Sequence, residues 1–111
     1  MRDSTILRSA EDFNAIYKKG KSSGSRYVVV LYKPNGTGLA RKAFIASKKV
    51  GNSVKRNRAR RLMRSALMQY GKELPAGYDF LFIARNTITD SKCADVEKSI
   101  EAALKRTGLT G

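Results

Sequence analysis

The stretch VGNSVKRNRARRLMRSAL, Val50 to Leu67, limits the possible folds more than any other part of the chain. Six basic side chains fall between Lys55 and Arg64, yet apolar residues recur through the same stretch at helical intervals. Advancing 100° per residue from Val54 gathers Ala59, Leu62, Met63, Ala66, Leu67 and Tyr70 on one broad arc. Asn57, Arg58, Arg60, Arg61 and Arg64 fall on the opposite arc. Lys55 and Arg56 are exceptions in the first turn, where the core side is still open. Asn52 or Ser53 can cap that turn, and Gly51 lets the chain bend into it. The segment therefore predicts a helix that packs with one face and offers guanidinium groups with the other.

Those cations lie where the helix dipole disfavours them, and no acid stands three or four residues away to neutralise the arginines. A segment shaped by stability alone would put acids in its first turns. The wider chain repeats the pattern. Its 111 residues hold 23 Lys and Arg against 9 Asp and Glu, a formal charge of +14. No acid occurs between Asp12 and Glu73, a gap that contains 16 of the basic residues. Such a stretch repels itself unless a polyanion supplies counter-charge. Nucleic acid is the leading partner class and an anionic membrane the second. Arg outnumbers Lys five to one on the ridge, which suits forked hydrogen bonds to phosphate and stacking on bases. These features do not decide between RNA and DNA.

Around the basic helix the chain reads as a single domain over residues 1–111. No apolar run approaches bilayer-spanning length and no secretory signal is evident, so a cytoplasmic setting is expected. Ser9, Glu11, Asp12, Phe13, Ile16 and Tyr17 outline a first helix, with Ser9 as its cap and Gly20 as a left-handed stop. SRYVVVLYK reads as a strand, Asn35-Gly36 as a turn and ARKAFIASK as the returning strand, with a shorter strand piece around Lys21 to Ser25. YDFLFIAR is a strand apolar enough to be covered on both faces. A last helix runs from about Asp90 to Arg106, with Gly108 as its stop and Cys93 as a small core residue. The predicted class is α+β, an α-β sandwich in the order α-β-β-α-β-α with an optional extra strand.

Catalytic groups are scarce. The chain has no His, its serines lack a base, and no zinc-type ligand spacing occurs. Asp79, Asp90, Asp95, Glu97 and Glu101 are the carboxylates open to a metal, and all but Asp79 read more simply as helix-dipole and i,i+4 partners. Phe13 and Tyr17 share one stripe of the first helix, and Tyr27 and Tyr32 are expected on opposite faces of the next strand. Aromatic rings in a basic groove stack unpaired bases, but by the residues alone ordinary core packing is the simpler reading.

KKVGNSVKRNRARRLMRSA, Lys48 to Ala66, resembles the RNR signature of the bacterial ribonuclease P protein family. SAEDFNAIYKKG resembles the first helix of that family and YDFLFIAR its last strand. The resemblance implies a sandwich with a left-handed βαβ crossover around the basic helix, against the usual right-handed rule. It also implies a ribonucleoprotein that removes the 5′ leader of precursor tRNA, with hydrolysis by an RNA subunit that holds Mg²⁺. It assigns the RNA subunit to Lys55, Arg56, Asn57, Arg58, Arg60, Arg61 and Arg64. The leader cleft then falls to Phe13, Tyr17, Tyr27, Leu31, Lys48, Lys49 and Arg85. No catalytic or metal-binding residue, membrane or obligate protein partner is expected. The chain departs from the family pattern between Val28 and Leu31, where the family often carries an aromatic residue. A ribosome-associated or general RNA-binding protein is the alternative reading, and an independent nuclease a weaker third.

Overall fold

The computed structural model describes residues 10–109, so the expected cap at Ser9 lies outside the described residues. Helix α1, Ala10–Lys19, is followed by strands β1, Lys21–Gly24, β2, Val28–Pro34, and β3, Arg41–Ile45. Helix α2 spans Ser53–Tyr70 and strand β4 spans Tyr78–Ala84. A short 3₁₀ turn at Asn86–Asp90 leads into helix α3, Cys93–Arg106. The turn explains why α3 starts three residues later than its sequence pattern suggests.

Asn35-Gly36 does turn the chain, with Gly36 at φ 71°, but β2 and β3 do not form a hairpin. The strand order is β1-β2-β4-β3, with β4 antiparallel to β2 and parallel to β3. Burial decides this arrangement. YDFLFIA is the most apolar strand and is buried along most of its length, so it takes a central place. Tyr27 also departs from expectation. It precedes β2, its N–H donates to Ser99 Oγ at 3.0 Å, and it packs with Tyr32 against the same core. Strand alternation does not extend to it.

The two sheet faces differ in cover. Val28, Val30, Phe80, Phe82 and Ala84 lie under α2 and α3, joined by Ala59, Met63, Ala66, Val96 and Ile100. Leu81 and Ala43 face the other way, against Ile16 of α1, with Phe13, Leu31, Ile45 and Ile83 partly buried around them. Gly20 ends α1, but not through a left-handed backbone, since it is absent from the positive-φ glycines. It is there for room: a Cβ would stand 2.4 Å from the Ile16 carbonyl and 3.0 Å from that of Tyr32. At the end of α2, Gly71 does take the left-handed form, with φ 70°.

Handedness follows from the ladder. The N–H groups of Arg85 and Asn35 donate to the carbonyls of Tyr27 and Gly77, both at 2.9 Å. Odd-numbered β4 positions thus bond β2, and even-numbered positions bond β3. With the even side chains toward the viewer and β4 running upward, L-residues place β3 on the right. The chain rises on β3, comes forward through α2 and enters β4 on the left. The crossover is left-handed, against the common rule. A right-handed path between the same strands would lay α2 across the α1 face.

Met63 is fully buried under α2, whereas Met68 is 79% exposed on the same helix. Met63→Ala should cost about 2–5 kcal/mol and Met68→Ala less than about 0.5 kcal/mol in urea unfolding. Equal losses would mean that α2 docks through a different face.

Candidate nucleic-acid interface

Asn52 caps α2, its Oδ1 accepting the Lys55 N–H at 3.0 Å, and Gly51 at φ 142° turns the chain into it. Ala59, Met63, Ala66 and Tyr70 are its buried residues. The helix makes its main approach to α3 and a lesser one to β3 and β4. Val54, from which the apolar arc was counted, is 73% exposed, because the packing stripe starts one turn later.

The cations stand around this stripe. Lys55, Arg58, Arg61, Arg64 and Asn57 are exposed, while Arg56 and Arg60 are half-buried at the margins. Their contacts are with neutral groups. Arg58 Nη1 donates to the Thr89 carbonyl at 2.6 Å, Arg56 Nη2 to Ser53 Oγ at 3.1 Å, and Arg60 to Asn57 Oδ1. The Arg64 guanidinium lies 5.6 Å from the centre of the Phe44 ring. Among the described residues the ion pairs join Arg41 to Asp12 and Asp79, and none involves α2. The guanidiniums are oriented by oxygens and a ring face that leave their charge intact. An anion arriving there meets unneutralised, partly ordered donors.

The opposite layer holds the other predicted group. Phe13 and Leu31 share the α1-side cluster, and Tyr17, four residues after Phe13, is 52% exposed. Lys48 and Lys49 are exposed in the turn after β3, and Arg85 is exposed just after β4. Because β3 and β4 are parallel, these cations leave the sheet at one end, the end where α2 begins. Tyr27 does not join the group, since it packs in the α2–α3 layer.

Asp79 has a different use from metal binding. It is buried, and Arg41 grips it with Nε on Oδ1 and Nη2 on Oδ2, both at 2.8 Å. Asn35 Nδ2 adds a third bond to Oδ1 at 2.9 Å, and Asp12 of α1 stands 3.7 Å from Arg41 Nη1. The hydrogen bond to Asp79 raises the Arg41 pKa further above its ordinary value, against the opposing effect of burial. Arg41 thereby ties α1 to β3 and β4. The sequence offered no sign of this anchor, because Arg41 and Asp79 are 38 positions apart and meet only as ladder partners. Among the described residues no three His, Cys, Asp or Glu side chains gather in a form that could hold a metal.

A four-stranded mixed sheet, crossed left-handedly by a cationic helix and left partly open on the far face, is a narrow structural class. A family model described as Ribonuclease P matches residues 1–108. The ribonuclease P protein component of Pelotomaculum thermopropionicum is 42% identical over 101 residues, covering 91% of this chain and 90% of the relative. That of Caldanaerobacter subterraneus is 37% identical over 105 residues, covering 95% and 90%. The Staphylococcus aureus RNase P protein superposes with a TM-score of 0.84 at 29% identity, over 98% of this chain and all of that one. The Thermotoga maritima protein gives 0.80 at 29% identity, over 95% and 97%. The chain belongs to the bacterial ribonuclease P protein family, whose members are protein subunits of a tRNA-processing ribonucleoprotein nuclease.

Replacing the anchor tests its role. Asp79→Ala should cost about 1–3 kcal/mol by urea unfolding, as a charged hydrogen-bond set is lost and Arg41 is left with a weaker partner. Amide exchange in α1 should accelerate more than in α3. Unchanged exchange in α1 would show that the network does not hold the helix.

Proposed function

We propose that α2 docks on the catalytic RNA of ribonuclease P and that the α1 face receives the single-stranded 5′ leader of precursor tRNA. Lys55, Arg56, Asn57, Arg58, Arg60, Arg61 and Arg64 form the first surface. Phe13, Tyr17 and Leu31, with Lys48, Lys49 and Arg85 at the sheet end, form the second. Hydrolysis belongs to the RNA, which also holds Mg²⁺. The buried carboxylate Asp79 is saturated by Arg41 and Asn35, so it is a poor ligand for a cation. The particle acts in the cytoplasm.

One observation carries the reading: Arg58, Arg61 and Arg64 are exposed, and no α2 guanidinium makes an ion pair with carboxylates of the described residues. Cations placed against the helix dipole and left unneutralised cost stability alone and gain it with a phosphate backbone. The open α1 face supports the second surface, since an extended strand needs aromatic shoulders and cations beside a shallow floor. In this division of labour the protein lowers repulsion between two RNAs and favours the precursor, which has a leader, over the product, which lacks one.

Precursor tRNA cleavage at low Mg²⁺, with protein alone, RNA subunit alone and both together, tests the proposal. Activity only in the mixture is expected. Cleavage by protein alone would point to a nuclease, and no stimulation to a general RNA-binding role. Arg58→Ala with Arg61→Ala should weaken assembly about tenfold and flatten its salt dependence by about two phosphate contacts. Phe13→Leu with Tyr17→Ala should instead reduce preference for precursor about fivefold, with assembly retained. Equal loss of one step by both pairs would overturn the two-surface division.

A further inference from the structure

A groove of about 600 Å³ lies between the loop before β3, the outer edge of β3 and the C-terminal half of α2. Leu39, Phe44, Leu67 and Met68 supply apolar walls, and Lys42, Arg64 and Lys72 stand among them. Leu39 is 45% exposed and Met68 79%, so two of the four large exposed apolar side chains among the described residues share this one groove. Met68 sits off the buried stripe of α2 and has no core to enter. Clustered exposure of this kind marks a contact surface.

The cations give the surface a sign. Arg64 rests over the Phe44 ring and the Lys72 ammonium 5.7 Å from the centre of the Tyr70 ring, neutral supports that leave their charge intact. Lys42 has no carboxylate within ion-pair range among the described residues. Glu73 is the one acid of the lining. The edge of β3 adds directional groups. Its odd-numbered residues bond β4, so Lys42 and Phe44 turn their N–H and C=O groups outward, toward the groove side. A second copy of the chain, carrying +14, would bring like charge against these cations.

We infer that the groove receives an unpaired nucleotide of an RNA, its base against Leu39 and Met68 and its flanking phosphates on Lys42, Arg64 and Lys72. A base supplies the flat apolar face, its edge meets the free β3 amides, and its phosphates match the three cations. The inference extends the RNA-docking reading of α2, because Arg64 belongs to both surfaces.

Methionine-methyl NMR separates the outcomes. The protein is labelled with ¹³C at its methionine methyls and titrated with a short oligoadenylate or with inorganic tripolyphosphate. The Met68 signal should move with oligoadenylate and stay in place with tripolyphosphate, while buried Met63 stays in place with both. Leu39→Ser with Met68→Ser, both at exposed positions, should weaken oligoadenylate binding about fivefold or more with unchanged helical circular dichroism. Several results would overturn the assignment. Met68 could respond equally to tripolyphosphate, which means an anion site alone. It could stay still while oligoadenylate binds, which puts the RNA elsewhere. It could shift with protein concentration in the absence of RNA, which means self-association. Wild-type affinity in the double variant would also overturn it. The probe contains neither the RNA subunit nor precursor tRNA, so failure here is distinct from failure in the cleavage assay.

Discussion

The docking of Ala59, Met63, Ala66 and Tyr70 of α2 into the core shared with α3 and the β3–β4 side of the sheet is the contact on which the remaining structure depends. It orients α2 so that Lys55, Arg58 and Arg61 are exposed, while Arg64 reaches over Phe44 at the sheet edge. It also forces the crossover to run left-handed, since α2 must join β3 to β4 on this side. Among the described residues, the unusual hand leaves α1 as the one helix on the far face. One apolar interface thus sets up two surfaces of different character, a convex cationic ridge on one layer and a shallow open face on the other.

The two surfaces meet at one end of the sheet. β3 and β4 finish there in parallel, α2 begins there, and Lys48, Lys49, Arg85, Lys55 and Arg56 all belong to that end. On the proposed reading, an RNA spanning from ridge to open face would cross this basic border. Two acids are held away from it, although Asp90 lies beside Lys55 and Arg58. Asp79 is buried under Arg41 at the opposite ends of β3 and β4, and Asp12 points to the same guanidinium. Carboxylates near the sheet are used to hold α1 rather than to neutralise the border.

Much of this was legible in the chain itself. The helix at Ser53–Tyr70 has an apolar stripe and an Asn cap, both local properties, and the sequence alone sorts its two faces. The cationic positions were readable for the same reason. Less legible were the features that depend on distant partners. The Asn35-Gly36 turn suggested a hairpin, but β4 inserts between β2 and β3 because it carries the most buried apolar surface. Gly20 looked like a backbone device and proved to be a steric one. Tyr27 looked like a cleft residue and lies half-buried against the α2–α3 core instead, since it sits in a turn outside the strand period.

Local periodicity and charge spacing determined the elements, the basic ridge and the family signature, because both are properties of neighbours within a few turns of chain. Tertiary structure alone decided strand order, crossover hand, the Arg41–Asp79 anchor and the groove that unites Leu39 with Met68. Each of these joins residues far apart in sequence, and the choice among possible partners rests on which faces can be buried together.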